Sequence, residues 1–463
     1  MKSRLHGLSM IYVLIEGIVH AHSGMSAEEQ FSFVGSELWN IYSGKGWTTP
    51  SIEEVSNALG FSTLGGADVF SERYFKGKPL VVLSGQFSTG KTTFIQDIIL
   101  GAEYPDSYIA PNPSTDQFTL ITNGGTREKC ARSAQHAAGQ GHAQKSSLAK
   151  FRELGDGFLQ RLTFVKVSHE DAPILKYVDI LDTPGILSTG HEQEEHYDLA
   201  HTWQHIANHA DMILVMFDVK SGDISDRFNH ILKHFAAVKN KVHLIFNKAD
   251  TLKAYDLLQV FGGIMWKLGT VIKQPESERV YFGSFHKKPC ESSVAGEYAC
   301  NEFDANKRRI LEKIHRLPYE TATRRVGHFE LFLHSLEVMY KLIRHLHSVV
   351  PSYNAWTGKC QNIDTNGDAI NSEKVLQMHI DEAINFYGWK SSVLPDLQRF
   401  KGRIANLGGV CNIPVALTSY LDSIENAKKK LLHLNEKLSA EPPKSFFASI
   451  FGGNGDEEEQ LVF

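Results

Sequence analysis

The chain has 463 residues, 42% of them hydrophobic and 22% charged, with a formal net charge of −5. That length exceeds the roughly 100–200 residues of a single domain and predicts two or three units with full cores. A mildly acidic chain has no global electrostatic basis for binding nucleic acid, so no nucleic-acid partner is expected, and any anionic ligand needs a local basic patch.

The first 25 residues combine a basic start with a mostly apolar run from Leu8 to Ala21. A secretory signal has this form, but Glu16 interrupts the run and the sequence offers no usable N-glycosylation sequon, because Asn112-Pro-Ser is spoiled by its proline. The run is short for a membrane span, and Met25 is an alternative start. From Ser26, SAEEQFSFVGSELWNIY has a capping-box pattern (Ser26, Glu29) and helical apolar spacing, predicting a helix.

After a Gly/Ser/Thr-rich passage, RYFKGKPLVVLS enters a strong strand. Further strand-like runs follow at Tyr177–Leu181, Met212–Phe217, Val242–Phe246 and Val280–Phe285, with helix-length spacers between them. That alternation predicts an α/β unit with a mainly parallel sheet covered on both faces. Beyond about Asn301 the apolar period becomes helical through ANKRRILEKIHRL, HFELFLHSLEVMYKLIRHLHSVV, EKVLQMHIDEAINFY and SYLDSIENAKKKLLHLNEKL. The expected division is an N-terminal apolar segment 1–25, a helical segment 26–75, a nucleotide domain 76–295, a helical domain 296–440 and a mobile acidic tail 441–463. The five cysteines, Cys130, Cys290, Cys300, Cys360 and Cys411, are odd in number and lack zinc spacing, which fits a reducing compartment better than a disulfide framework.

Chemistry concentrates in 81-VVLSGQFSTGKTTFIQDIIL-100. Gly85-x-x-x-x-Gly90-Lys91-Thr92 between a strand and a helix is a P-loop in its required context. Glycines let the backbone N–H groups curl around phosphate oxygens, and the helix start adds its positive dipole end. The cradle is Gly85, Gln86, Ser88, Thr89, Gly90, Lys91, Thr92 and Thr93, with Lys91 reaching the β- and γ-phosphates and Thr92 ligating Mg²⁺. Asp182-Thr183-Pro184-Gly185 follows a strand, so Asp182 faces the ligand crevice and holds magnesium through water, while Gly185 offers an N–H to the γ-phosphate. Asn247-Lys248-Ala249-Asp250 follows another strand; Asp250 is placed to accept from a base edge and the Lys248 stem to cover it. In PNPSTDQF, Thr115 is the candidate second Mg²⁺ hydroxyl ligand. Three such elements in this order, each after its own strand, indicate a GTPase-type domain.

Ile186 follows Gly185, so no glutamine stands there to orient an attacking water. Hydrolysis is therefore expected to be slow in the monomer and assembly-stimulated, with Ser88 and the Thr115 loop positioning water beside Lys91 and Gly185.

The set GQFSTGKTTFI, PSTDQF, DTPGILS, FDVKSGDISDRF, NKAD and RVYFGSF resembles the EHD family of dynamin-related, membrane-remodelling ATPases, from about Ser26 to at least Val350. The resemblance implies a dynamin-type G domain with an all-α helical domain built from segments on both sides of it. It implies binding and slow hydrolysis of ATP in preference to GTP, with Mg²⁺, and a homodimer or higher oligomer on membranes in endocytic trafficking. By position it carries over Lys91, Thr92, Thr115 and Asp182 as phosphate and magnesium residues, and Asn247, Lys248 and Asp250, with Phe285 of GSF, as base-side residues. Location would be cytoplasmic, peripheral on endosomal or plasma membrane. Three departures stand out. No C-terminal EH domain of the family's kind is expected beyond the short acidic tail. His286 stands where the family has Trp, which bears on ATP against GTP. The expected membrane tip, PSYNAWTGKCQNIDTNGD, has Tyr353, Trp356 and a single lysine, Lys359, in place of a lysine cluster.

Within that tip NIDTNGDAINSE imitates a calcium loop, but Asn362 at position one and Ala369 at position eight read better as a polar turn. His345 and His347 do not share a helix face and read as structural. Alternatives to the EHD-type enzyme are a dynamin-class GTPase and a non-enzymatic luminal relative such as sarcalumenin behind a signal peptide.

Overall fold

The computed structural model describes residues 27–45, 48–59, 70–104, 117–124, 130–133, 151–152, 154–186, 199–221, 224–271, 280–288, 290, 294, 296–350, 362, 364, 366–370, 372–390, 394, 397–406, 409–412 and 417–438. The expectations for the N-terminal segment, Ser26, Thr115, the Tyr353–Lys359 tip and the acidic tail lie outside them. Two compact units emerge: Gly77–Thr321, and a second composed of the segments before and after it.

The Gly77–Thr321 unit is an eight-stranded sheet in the order β3-β4-β2-β5-β1-β6-β7-β8. Its strands are β1 Leu80–Gly85, β2 Phe118–Asn123, β3 Cys130–Ser133, β4 Leu162–Val167, β5 Asp179–Asp182, β6 Met212–Asp218, β7 Val242–Asn247 and β8 Val280–Phe282. β1 lies between β5 and β6, parallel to both, and β6, β7 and β8 continue in parallel. Among the described residues only the β2–β5 and β3–β4 pairings are antiparallel. Every residue of β1 is buried, as a strand covered on both faces requires. Alternate residues feed opposite cores: Leu80 and Val82 pack with Leu181, Phe217 and Phe246, whereas Val81 and Leu83 pack with Phe94, Ile180 and Phe285.

Two runs deviate from the sequence reading. The strand expected at Tyr177–Leu181 starts at Asp179, because Pro173–Lys176 forms a 3-10 turn ahead of it. The one expected at Val280–Phe285 stops at Phe282, where Gly283 donates to Phe246 O (3.0 Å) and accepts from Ala249 N (3.1 Å), closing a turn. β2 and β4 are not among the expected strands; each is mostly buried with two half-buried positions.

In the second unit α1 (Ala27–Ser43) and α2 (Ile52–Ala58) pack against α12 (Thr418–Leu438). The predicted N-terminal helix is therefore present, and α2 carries a complete capping box between Ser51 and Glu54. Phe70, Phe75, Phe329 and Phe332 form a ring cluster around Tyr42, and buried Arg325 donates to Phe75 O at 2.9 Å. Helix α9 (Glu297–Val349) is one 53-residue helix that keeps Pro318 in its interior, where the sequence suggested separate segments. The compact units divide within it, after Thr321. Helix α10 (Glu373–Tyr387) is capped by Ser372 and ends on left-handed Gly388. Among the described residues no helix is long and apolar enough to cross a membrane.

The cysteines differ from expectation. Cys290 and Cys300 are disulfide-bonded across a Cα separation of 5.6 Å, and Cys411 is also a half-cystine. The fold, not the spacing, brings these thiols within bonding range, so the reading of free, reduced cysteines fails for these three.

Candidate nucleotide site

Register sets the site. Leu83 lies beside Asp182, Gly85 beside Met216, and Asp218 beside Asn247, so the ends of β1, β5, β6 and β7 emerge along one edge of the sheet. In an open α/β sheet this carboxyl edge is where ligands bind.

The P-loop leaves β1 at Gly85 and enters helix α4 (Lys91–Phe94), which continues as a π-helical turn over Ile95–Leu100. Gly90 caps that helix in the left-handed region (φ 91°), and a Cβ there would fall 2.4 Å from Asn247 Nδ2. Exposed Ser88 also has a positive φ of 64°, a strained conformation typical of functional loops. Thr89 is buried and its hydroxyl donates to Gln86 O (3.0 Å). Gln86 bridges Ile186, and Phe87 N donates to Ile186 O (3.0 Å), so the segment after Asp182 is laced to the loop. Gly185 must be glycine at this approach, since a Cβ would meet Phe87 Cα at 2.9 Å.

Lys91 is 7% exposed, and its Nζ donates to Gly85 O and Gln86 O, both at 3.0 Å. Burial lowers its pKa to about 8 against the opposing pull of Asp182. Asp182 sits 8% exposed with its pKa raised, again by burial, which outweighs Lys91 and the hydroxyls that donate to it. Its Oδ2 accepts from Thr92 Oγ1 (2.9 Å) and Tyr104 OH (2.8 Å), and its Oδ1 is buried with no hydrogen-bond partner. A hydroxyl and a carboxylate meeting beside an amine, with one carboxylate oxygen unsatisfied, is a donor set of hard oxygens suited to magnesium. Thr93 is half-buried in the same turn.

On the opposite side Asn247 is a brace. Its Nδ2 donates to Thr89 O (2.9 Å), and its Oδ1 accepts from Lys248 N (2.8 Å) and Phe285 N (3.0 Å). Lys248, left-handed at φ 63°, donates to Ser88 O (2.6 Å) and Asp218 Oδ2 (2.5 Å). Asp250 is 7% exposed, with its Oδ2 3.9 Å from His286 Nε2. Phe285 does not present a ring to a ligand: it is fully buried and packs edge-on against Phe94 at 5.2 Å. Its part is its backbone amide on Asn247.

The structure thus gathers Gly85, Gln86, Ser88, Thr89, Gly90, Lys91, Thr92 and Thr93 with Asp182 and Gly185, and ties them to Asn247 and Lys248. Sequence reasoning missed Tyr104, which has no motif around it. It also assigned no role to Asp218, although FDVKSGD was in view and the end of a central strand was signal enough.

Fold and site together define a P-loop nucleotide-binding G domain of the dynamin type, and residues 81–249 match the model of the Dynamin family. The chain is a homologue of the EH domain-containing proteins, as its motifs indicated. It is 32% identical over 279 residues to EH domain-containing protein 1 of Arabidopsis thaliana, covering 60% of this chain and 50% of that one. It is 34% identical over 255 residues to EH domain-containing protein 1 of Homo sapiens, covering 55% and 45%. The chain thus spans about half the length of the relatives it matches. A solved bacterial dynamin pair, described as oligomerised and tethering membranes, aligns over 97% of this chain and 79% of its own at a TM-score of 0.35 and 14% identity.

Proposed function

We propose that the chain binds a nucleoside triphosphate, ATP or GTP, with Mg²⁺ at this loop and hydrolyses it slowly. On the same reading it forms dimers or higher oligomers and works at a membrane surface in endocytic or vesicle trafficking. The observation that carries the reading is Asp182, a buried carboxylate joined to the Thr92 hydroxyl with its second oxygen unsatisfied. Thr92 and Asp182, with Thr115, would hold the metal, which when bound neutralises charge on the β- and γ-phosphates. The amine of Lys91 leaves the carbonyls of Gly85 and Gln86 for phosphate oxygens, and Gly185 N–H faces the γ-phosphate. Ser88 and the Thr115 loop position water. Asp250 accepts from the base edge. His286, 3.9 Å from that carboxylate, bears on which base is preferred. The domain limits 76–295 and 296–440 are part of this proposal. Calorimetry with ATP and with GTP, each with magnesium, tests it: one site per chain is expected, lost in Lys91→Ala. Binding of neither nucleotide overturns it. Turnover per chain should rise with protein concentration or on liposomes, and a fast, concentration-independent rate contradicts the assembly-stimulated part.

A second reading has its own observation. Oxidised Cys290, Cys300 and Cys411 fit an oxidising compartment, which favours the luminal, sarcalumenin-like alternative over a cytoplasmic peripheral protein. Alkylation of the protein in its native cells before lysis separates the two. Free thiols at Cys290 and Cys300 would refute the luminal reading.

A further inference from the structure

The described residues of the helical unit bring together three side chains that the sequence holds apart. His345 comes from α9, and His379 and Glu382 from α10; one ligating atom of each lies within 4.8 Å of the other two. His379 and Glu382 are a turn apart, with Nδ1 2.8 Å from Oε2. The other nitrogen of His379 is committed elsewhere: Nε2 lies 3.2 Å from Asp364 Oδ2. Asp364 is 1% exposed, and its Oδ1 accepts the backbone N–H groups of Asn366 (2.9 Å) and Asp368 (2.8 Å). The segment that imitates a calcium loop is therefore a turn closed on its own amides, with its carboxylate turned inward onto a histidine.

This arrangement constrains the chemistry of His379. A neutral ring carries one N–H between two carboxylates, and in the tautomer that donates Nε2–H to Asp364 the Nδ1 lone pair faces Glu382. Two acceptors in contact need positive charge between them, either a second proton on the ring or a cation. A proton satisfies Glu382 but does nothing for His345, whose Nε2 is buried with no hydrogen-bond partner. A metal ion uses all three.

We propose that His345, His379 and Glu382 bind one divalent transition-metal ion, with zinc the best fit. Two imidazoles and a carboxylate are a known zinc donor set that leaves a fourth position for water. Asp364 is the positioning residue, in the carboxylate–histidine–metal relay that commonly orients such ligands. Tetrahedral ligands with bonds of about 2.0–2.1 Å lie roughly 3.3 Å apart, so Glu382 must draw back from His379 by about half an ångström, and His345, whose ligating atom lies within 4.8 Å of the other two, must settle to the same spacing. It is free to do so, because its side chain is 53% exposed, and the same exposure gives the ion an entry path. The site would clip α10 to α9 and is independent of the nucleotide loop.

The test uses tag-free full-length protein, stripped with chelator, in excess magnesium to occupy oxygen-only sites. Zn²⁺ is titrated by calorimetry and Co²⁺ by visible absorption. The expected result is one ion per chain and a tetrahedral cobalt spectrum. Glu382→Gln should weaken binding about tenfold or more, Asp364→Asn about 10–100-fold, and His345→Ala should abolish it. No ion in the parent, or unchanged affinity in both Glu382→Gln and His345→Ala, overturns the proposal. Should the His345 variant fail to fold, Glu382→Gln alters a half-exposed carboxylate and decides alone.

Discussion

Raising the pH from 7 to 9 should weaken nucleotide binding about tenfold, and Lys91 is the reason. Burial has brought this amine to a pKa of about 8, with Asp182 opposing the shift. A bound triphosphate keeps the amine protonated, so affinity follows the charged fraction of the free protein. That fraction falls from about 0.9 at pH 7 to about 0.1 at pH 9, a tenfold loss or about 1.4 kcal/mol. A lysine at its ordinary value would lose only a few percent of its charge over the same range. Calorimetry in two buffers of different ionisation enthalpy reads both the affinity and the proton taken up, about half a proton at pH 8. Lys91→Arg, which stays charged, should flatten the slope even if it binds more weakly. The stability of nucleotide-free protein moves the other way. The folded pKa lies below the unfolded one, so between about pH 8 and the unfolded value the unfolded chain holds the extra proton, and stability rises with pH across that window. A dissociation constant unchanged from pH 7 to 9, or an equal slope in Lys91→Arg, would refute the assignment of the shift to Lys91.

Asp182→Asn should abolish the gain in nucleotide affinity that magnesium confers, measured by titration with and without the ion, while leaving the nucleotide-free fold intact because it removes a buried charge without changing shape. Asn247→Ala strips three internal hydrogen bonds at a site 4% exposed and leaves Thr89 O and two amides unpaired; a loss of about 2–5 kcal/mol follows, read from the urea midpoint. Reduction of Cys290–Cys300, which closes a loop with a sequence separation of 10, should cost about 2–3 kcal/mol on the chain-entropy view, seen as a lower Tm in reductant. A Tm indifferent to reductant would count against that bond.

What the sequence disclosed followed how local each interaction is. The phosphate loop was legible because its chemistry is written in consecutive residues: Gly90 must be glycine to clear Asn247, and Lys91 and Thr92 follow at once. Strands β1, β6 and β7 were legible because burial on both faces leaves nearly continuous apolar runs, broken in β7 only by half-buried His243. β2 and β4 were not, since FTLITN and LTFVKV break their short apolar runs with Thr119, Thr122, Thr163 and Lys166 at no regular period, and mean little until paired with each other. Tyr104 reaches Asp182 from 78 positions away, and nothing near it in the chain announces that. The histidines make the same point. His345 and His347 are near neighbours in sequence but do not share a helix face. The partners that matter to His345 lie on another helix, and one of them, His379, is aligned by a carboxylate in a segment whose calcium-loop spacing pointed to a different metal. Ligand sets assembled across helices have no sequence period of their own. The acid in the imitation loop is there for the turn and the histidine, and only the fold shows that the two needs are met by one side chain.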